Sequence, residues 1–164
     1  MSTATLTPTG TSFSTPSERE IEMTRSFDGP AAQLFDAWTR PEHLPHWMLG
    51  PEGWTMPVCE VDLRPGGAWR FAWRKADGAE MEMTGRYVEV ERPTRLVTTE
   101  SWGGGWPETV NTLTLAEEAD GRTTLTQRVL YPSREARDAA AETGMKQGVA
   151  LSFNRLAQHL RNLG

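Results

Sequence analysis

The stretch MKQGVALSFNRLAQHLRNL, residues 145–163, is where the reading of the fold begins. Met145, Val149, Phe153, Leu156, Leu160 and Leu163 recur at spacings of four, four, three, four and three, which places them on one face of a helix. A single long helix with an apolar stripe must cover that stripe, and the chain before it offers mostly strands. Gly144 separates it from a shorter helical segment, Arg134 to Glu142, for which Ser133 is a suitable N-cap.

Upstream, six strand signals follow one another with short links: Thr55–Asp62, Ala68–Lys75, Glu80–Glu91, Arg95–Trp102, Thr109–Glu117 and Arg122–Tyr131. The breaks between them carry turn chemistry, including Pro65-Gly66-Gly67, Asp77-Gly78, Gly103-Gly104-Gly105 and Asp120-Gly121. Before them, Ile21, Met23, Arg25 and Phe27 alternate with polar residues and predict a strand with one buried face. Pro30 to Thr39 then reads as a short amphipathic helix, with Asp28 or Gly29 as cap, and Pro41 to Trp47 as a second helical turn. The order is strand, two short helices, six strands, long helix. It predicts an α+β domain over residues 18–164, a seven-stranded antiparallel sheet whose twist lets it wrap the last helix. Residues 1–17, rich in Thr, Ser and Pro, read as a disordered tail.

Composition narrows function. A net charge of −5 with interspersed signs shows no basic stripe, which argues against nucleic acid. No apolar run is long enough to span a membrane, and the N-terminus has no signal-peptide pattern, so cytoplasmic residence is the expectation. The single Cys59 cannot form an intramolecular disulfide and reads as a small buried hydrophobe. His43 and His46 lack a partner at a recognised spacing, with His159 far along the chain, so no metal site and no cofactor is expected. Nucleophile-elbow, phosphate-loop and dinucleotide motifs are absent.

The seven Trp and seven Met are the informative residues. Trp69, Phe71 and Trp73 share one face of a strand; on the next strand Met81, Met83, Gly85 and Tyr87 share another. Periodicity alone favours such faces as core between sheet and helix, with a ligand-accommodating wall the lesser reading. Gly85 suits a bulge or a close approach. Gly148, inside the last helix, implies either close approach to the sheet or space for a ligand. Trp102 and Trp106 flank the glycine loop. Glu60, Asp62, Glu80, Glu82, Glu89 and Glu100 lie on or beside strands; most are expected to face solvent opposite the aromatic face, and any one facing inward would be a candidate acid or base.

The runs Arg19–Phe27, Leu34-Phe35-Asp36-Ala37-Trp38, Pro41-Glu42-His43-Leu44 with Trp47, Glu60–Gly67, Gly85–Val90 and Pro93–Val97, with Gly144-Met145, Gly148, Leu151 and Leu156, together resemble the START-like (SRPBCC) superfamily. Within it the resemblance is to the bacterial branch related to the C-terminal domain of the heat-shock-protein-90 ATPase activator, and covers Arg19 to Leu163. It implies the helix-grip (START/Bet v 1-like) fold, a curved seven-stranded sheet around the C-terminal helix with a cavity between them. The superfamily includes hydrophobic-ligand binders and polyketide cyclases, so fold alone does not settle activity.

The function this combination favours is binding of a small hydrophobic or aromatic molecule. The candidate pocket residues are Trp38, Trp47, Trp69, Phe71, Trp73, Met83, Tyr87, Trp102, Gly148 and Ser152. An aromatase/cyclase-type enzyme in the same cavity is the alternative, with Arg70, Arg86, Tyr87 and Glu100 the polar groups of interest. A stress-response co-chaperone that binds the ATPase itself is the least supported reading, since the chain lacks the separate N-terminal domain of the full activator. No catalytic residue is assigned.

Overall fold

The computed structural model describes residues 5–6, 10–103 and 105–163. Alternating apolar side chains build its sheet. Two short strands, β1 (Thr5–Leu6) and β2 (Ser12–Ser14), precede β3 (Glu20–Asp28), which buries Ile21, Met23 and Phe27. Helix α1 (Ala31–Thr39) and the single turn α2 (Leu44–Trp47) follow. Then come β4 (Trp54–Val61), β5 (Ala68–Lys75), β6 (Glu80–Glu91), β7 (Arg95–Glu100), β8 (Thr109–Glu117) and β9 (Arg122–Leu130). Helices α3 (Arg134–Ala141) and α4 (Met145–Leu163) complete the chain. The strands form one antiparallel sheet in the order β1-β2-β3-β9-β8-β7-β6-β5-β4, so β3 pairs with β9 and the helical pair carries the chain from β3 to β4 at the opposite edge.

Among the described residues the sheet therefore has nine strands where seven are expected. The seven long ones are those the alternation predicts, and the two extra come from the segment read as a tail. Ser12–Ser14 pairs with Glu22–Thr24 because Phe13 has an apolar site to fill, with the Lys146 ammonium over its ring. Thr11 is also fully buried. Disorder is thus not what the structure shows for residues 11–14; residues 1–4 and 7–9 lie outside the described residues.

Capping differs in one place. Pro30, not Asp28 or Gly29, holds the N-cap position of α1, and the Glu117 carboxylate accepts the Ala31 N–H at 2.8 Å. A carboxylate at a helix N-terminus satisfies an orphan donor and opposes the positive end of the dipole. It also ties α1 to β8. Ser133 caps α3 as expected, accepting the Ala136 N–H.

Helix α4 packs across the inner face through Phe153, Leu156 and Leu160, with Met145 and Val149 partly buried and Leu163 exposed. The Phe153 ring meets Phe27 edge-on at 6.0 Å and Trp38 at 5.9 Å. Beside them the Arg25 guanidinium donates to the Asn154 side chain at 2.9 Å. The connection from α2 to β4 is drawn to α4 as well. The Gly50 N–H donates to Ser152 Oγ, and Arg155 donates to the Gly50 carbonyl at 2.6 Å.

Candidate functional site

A cavity of about 50 Å³ lies against the inner face of the sheet, room for a few water molecules. Alternation explains its walls. On β5, Trp69 and Phe71 point inward, on β6 Met83 and Tyr87, on β7 Leu96, Thr98 and Glu100. Asn111 and Leu113 of β8 and Gln127 of β9 continue it, and Trp38 of α1 and Met48, just past α2, cover it from the helical side.

The aromatic wall is tight. Trp69 and Phe71 have ring centroids 4.8 Å apart, and Phe71 meets Trp73 edge-on at 6.1 Å. Gly85 makes this possible. Its missing side chain leaves the place where the Trp69 ring lies, and a β-carbon there would also collide with the Thr99 carbonyl oxygen. The Trp69 indole N–H is buried without a hydrogen-bond partner.

One end of the cavity is polar. The Gln127 amide donates to Asn111 Oδ1 at 3.2 Å, and the Asn111 amide donates to Thr109 Oγ1 at 3.1 Å. Glu100 stands beside them. The Trp102 indole donates to its Oε1 at 2.9 Å, and Trp102 itself stacks on Trp73 at 5.5 Å and 18°. The Trp73 indole in turn donates to the Met48 carbonyl at 2.8 Å. Burial pushes the Glu100 carboxyl up to about 7, a rise that the Trp102 hydrogen bond only partly opposes. Other strand carboxylates stand differently. Glu60 and Glu82 both pair with Arg70, Glu80 with Arg74, and Glu89 with Arg95, all on the exposed face; Asp62 pairs with Arg64. Glu100 is the carboxyl from that group that faces inward.

Residues 28–161 match the family model described as activator of Hsp90 ATPase homolog 1-like protein. The chain belongs to this family. Among solved structures, a protein from Rhodobacter sphaeroides is 31% identical over 93% of this chain and 99% of its own, with a TM-score of 0.88. One from Chromobacterium violaceum is 28% identical over 85% of this chain and 95% of its own, TM-score 0.72. Another, from Nitrosomonas europaea, shares the fold at 24% identity and TM-score 0.80, covering 90% of this chain and 97% of its own. A comparison with curated proteins finds no match.

In this chain, half of the expected pocket residues line the cavity: Trp38, Trp69, Phe71, Met83 and Tyr87. The other five stand outside its wall. Trp47 is fully buried between the helices, its ring 4.8 Å from that of Trp38 and tilted 50° to it, and its indole donates to the Ala37 carbonyl. Trp73 and Trp102 form the stack that adjoins Glu100. Gly148 and Ser152 face the Gly50-Pro51 segment, where a β-carbon on Gly148 would make only ordinary contact with Pro51, so the glycine is not needed for that approach and leaves no ligand space. No α4 residue lines the cavity; α4 backs it through Phe153 against Trp38. Met81, expected inward, is exposed near the end of β6.

Thr98, Asn111 and Gln127 were not legible as site residues, although each leaves a trace: a polar residue where the inward alternation calls for an apolar one. The histidines also differ from the reading as separate surface groups. Packing of α4 beside α2 brings His43 Nδ1 within 2.9 Å of His159 Nε2, and the His46 ring stacks on His159 at 5.1 Å. Among the described residues no group of three potential ligands has the geometry to hold a metal ion. Nor is any described helix long and apolar enough to cross a membrane. Gly104, in the glycine loop read as a turn, lies outside the described residues. Cys59 is half-buried, and burial raises its thiol to about 11, which leaves it a poor nucleophile.

Proposed function

We propose that this chain binds a small hydrophobic or aromatic molecule in the cavity between the sheet and the α1–α2 layer. The observation that carries the reading is the wall itself, in which Trp38, Trp69, Phe71 and Tyr87 face a partly open space instead of filling it. Met48 and Met83 line the same space and adapt to shape at low cost. Trp38 and Met48 keep part of their surface in solvent, and their displacement is the natural way to enlarge so small a cavity. Membership of a superfamily that includes hydrophobic-ligand binders supports the same reading.

Native mass spectrometry of freshly purified protein, followed by a Trp-fluorescence screen of aromatic compounds, tests it. Saturable binding by wild type, weakened at least tenfold in Phe71→Ala while the thermal midpoint stays within a few degrees, is the expected result. Parallel loss of binding and stability would make the rings core and nothing more. Trp73→Ala is expected to weaken binding indirectly, by releasing Met48 and Trp102. A carboxyl titrating near neutrality inside a cavity is also suited to proton transfer, so Glu100 favours a cyclase-type enzyme as second reading over a co-chaperone. Turnover of a bound compound that vanishes in Glu100→Gln would establish it.

A further inference from the structure

The cavity holds a chemical asymmetry that a binder of plain hydrocarbons does not need. Its walls contain four aromatic rings, four aliphatic or thioether side chains, three neutral polar ones and one carboxyl, and no Arg, Lys or His. Glu100 Oε1 accepts the Trp102 indole N–H, while Oε2 accepts no hydrogen bond among the described residues. The neighbouring amides of Asn111 and Gln127 each direct a donor away from it, to Thr109 and to Asn111. An acid in such a place lacks a counter-charge, and ring faces attract organic cations through their quadrupoles.

We propose that the ligand is an organic amine, bound as its ammonium ion with the nitrogen at Glu100 Oε2 and its apolar body against Trp69, Phe71 and Tyr87. This rests on the pocket reading above and adds the ligand's charge. An ammonium of this kind would supply the hydrogen bonds and charge that the protein itself withholds from Glu100. Titratable groups facing Glu100 are few. Tyr87 shares the cavity wall, and Tyr131 after β9 feels the carboxylate's charge; burial holds both hydroxyls above their ordinary range, so neither ionises near neutrality. The outward carboxylates Glu60, Glu80, Glu82 and Glu89 are occupied by Arg70, Arg74 and Arg95 on the opposite face.

Benzylamine and its neutral isostere ethylbenzene discriminate the idea, titrated calorimetrically into the full chain at pH 8. Wild type is expected to bind benzylamine at least tenfold more tightly, and Glu100→Gln to lose that preference while keeping its affinity for ethylbenzene. A second readout needs no variant. Glu100 titrates near 7 in the free cavity and ionises when an ammonium binds, so benzylamine should release about half a proton at pH 7, seen as a dependence on buffer ionisation enthalpy. Ethylbenzene binding as tightly as benzylamine, a preference that survives in Glu100→Gln, or binding without proton release overturns the proposal and leaves the pocket reading standing. Failure of both compounds to bind overturns the two together.

Discussion

A β-carbon on Gly85 would meet the Thr99 carbonyl oxygen and the Trp69 indole ring, and the carbonyl cannot move aside as a side-chain end could. Gly85→Ala is therefore expected to cost about 2 kcal/mol or more, within the usual range for overpacking and read as a lower urea midpoint. Gly148 is the useful contrast. Its nearest neighbour, Pro51 Cδ, would stand at 3.4 Å, ordinary contact, so Gly148→Ala should be neutral or stabilising by up to about 1 kcal/mol through helix propensity. Glu100 gives a third test at this scale. Its carboxyl, normally near 4.5, is raised to about 7 in the folded chain, so the folded state binds the proton more tightly than the unfolded state. The stability it contributes is fully present below about pH 4.5 and is lost as pH rises through 7. The difference in urea stability between wild type and Glu100→Gln, measured from pH 4.5 to 8, should drift against wild type by an amount on the order of 3 kcal/mol. A flat difference would mean the carboxyl is solvated.

Among the elements, α3 and β2 show opposite ways of being held. Helix α3 buries no residue and rests on its Ser133 cap and the partly buried Ala136 and Ala140. Ser133→Ala removes the acceptor for the Ala136 N–H at a cost of about 1 kcal/mol. The loss should be read as faster amide exchange within residues 134–141, with the global midpoint scarcely moved, because little packing couples α3 to the core. Strand β2, by contrast, is three residues long with one buried ring. Its local sequence, Ser-Phe-Ser between Thr11 and Thr15, has the composition of a tail, and it becomes a strand because Phe13 finds a site beside Met23. Strands β5, β6 and β8 run over the residues that alternation and turn chemistry predict, since both signals are local. The missed cap of α1 belongs here too: Glu117 lies far along the chain from Ala31, and only sheet topology brings them within 2.8 Å.

At the scale of the whole molecule, the α2–α4 seam joins histidines that are distant in sequence. Burial, then the nearby His43 and His46, lower the affinity of His159 for a proton. The unfolded chain therefore binds that proton more tightly, and stability should fall as pH drops below about 6.5. His159→Gln is expected to flatten this acid limb, checked by thermal midpoints from pH 7.5 to 5.5. The amino-acid sequence alone determined the order of the long elements, the inward face of β5, the outward fate of the Arg-paired carboxylates and the family resemblance, because each rests on period-two or helical spacing, on turn residues or on ordered motifs. Only the tertiary structure decided that Glu100 faces inward with Asn111 and Gln127, that Trp47, Gly148 and Ser152 serve the helical layer and not the cavity, and that Phe13 and His159 have partners. Those outcomes depend on which distant side chains arrive at one point when the sheet closes on its helices, and spacing along the chain carries no record of that meeting.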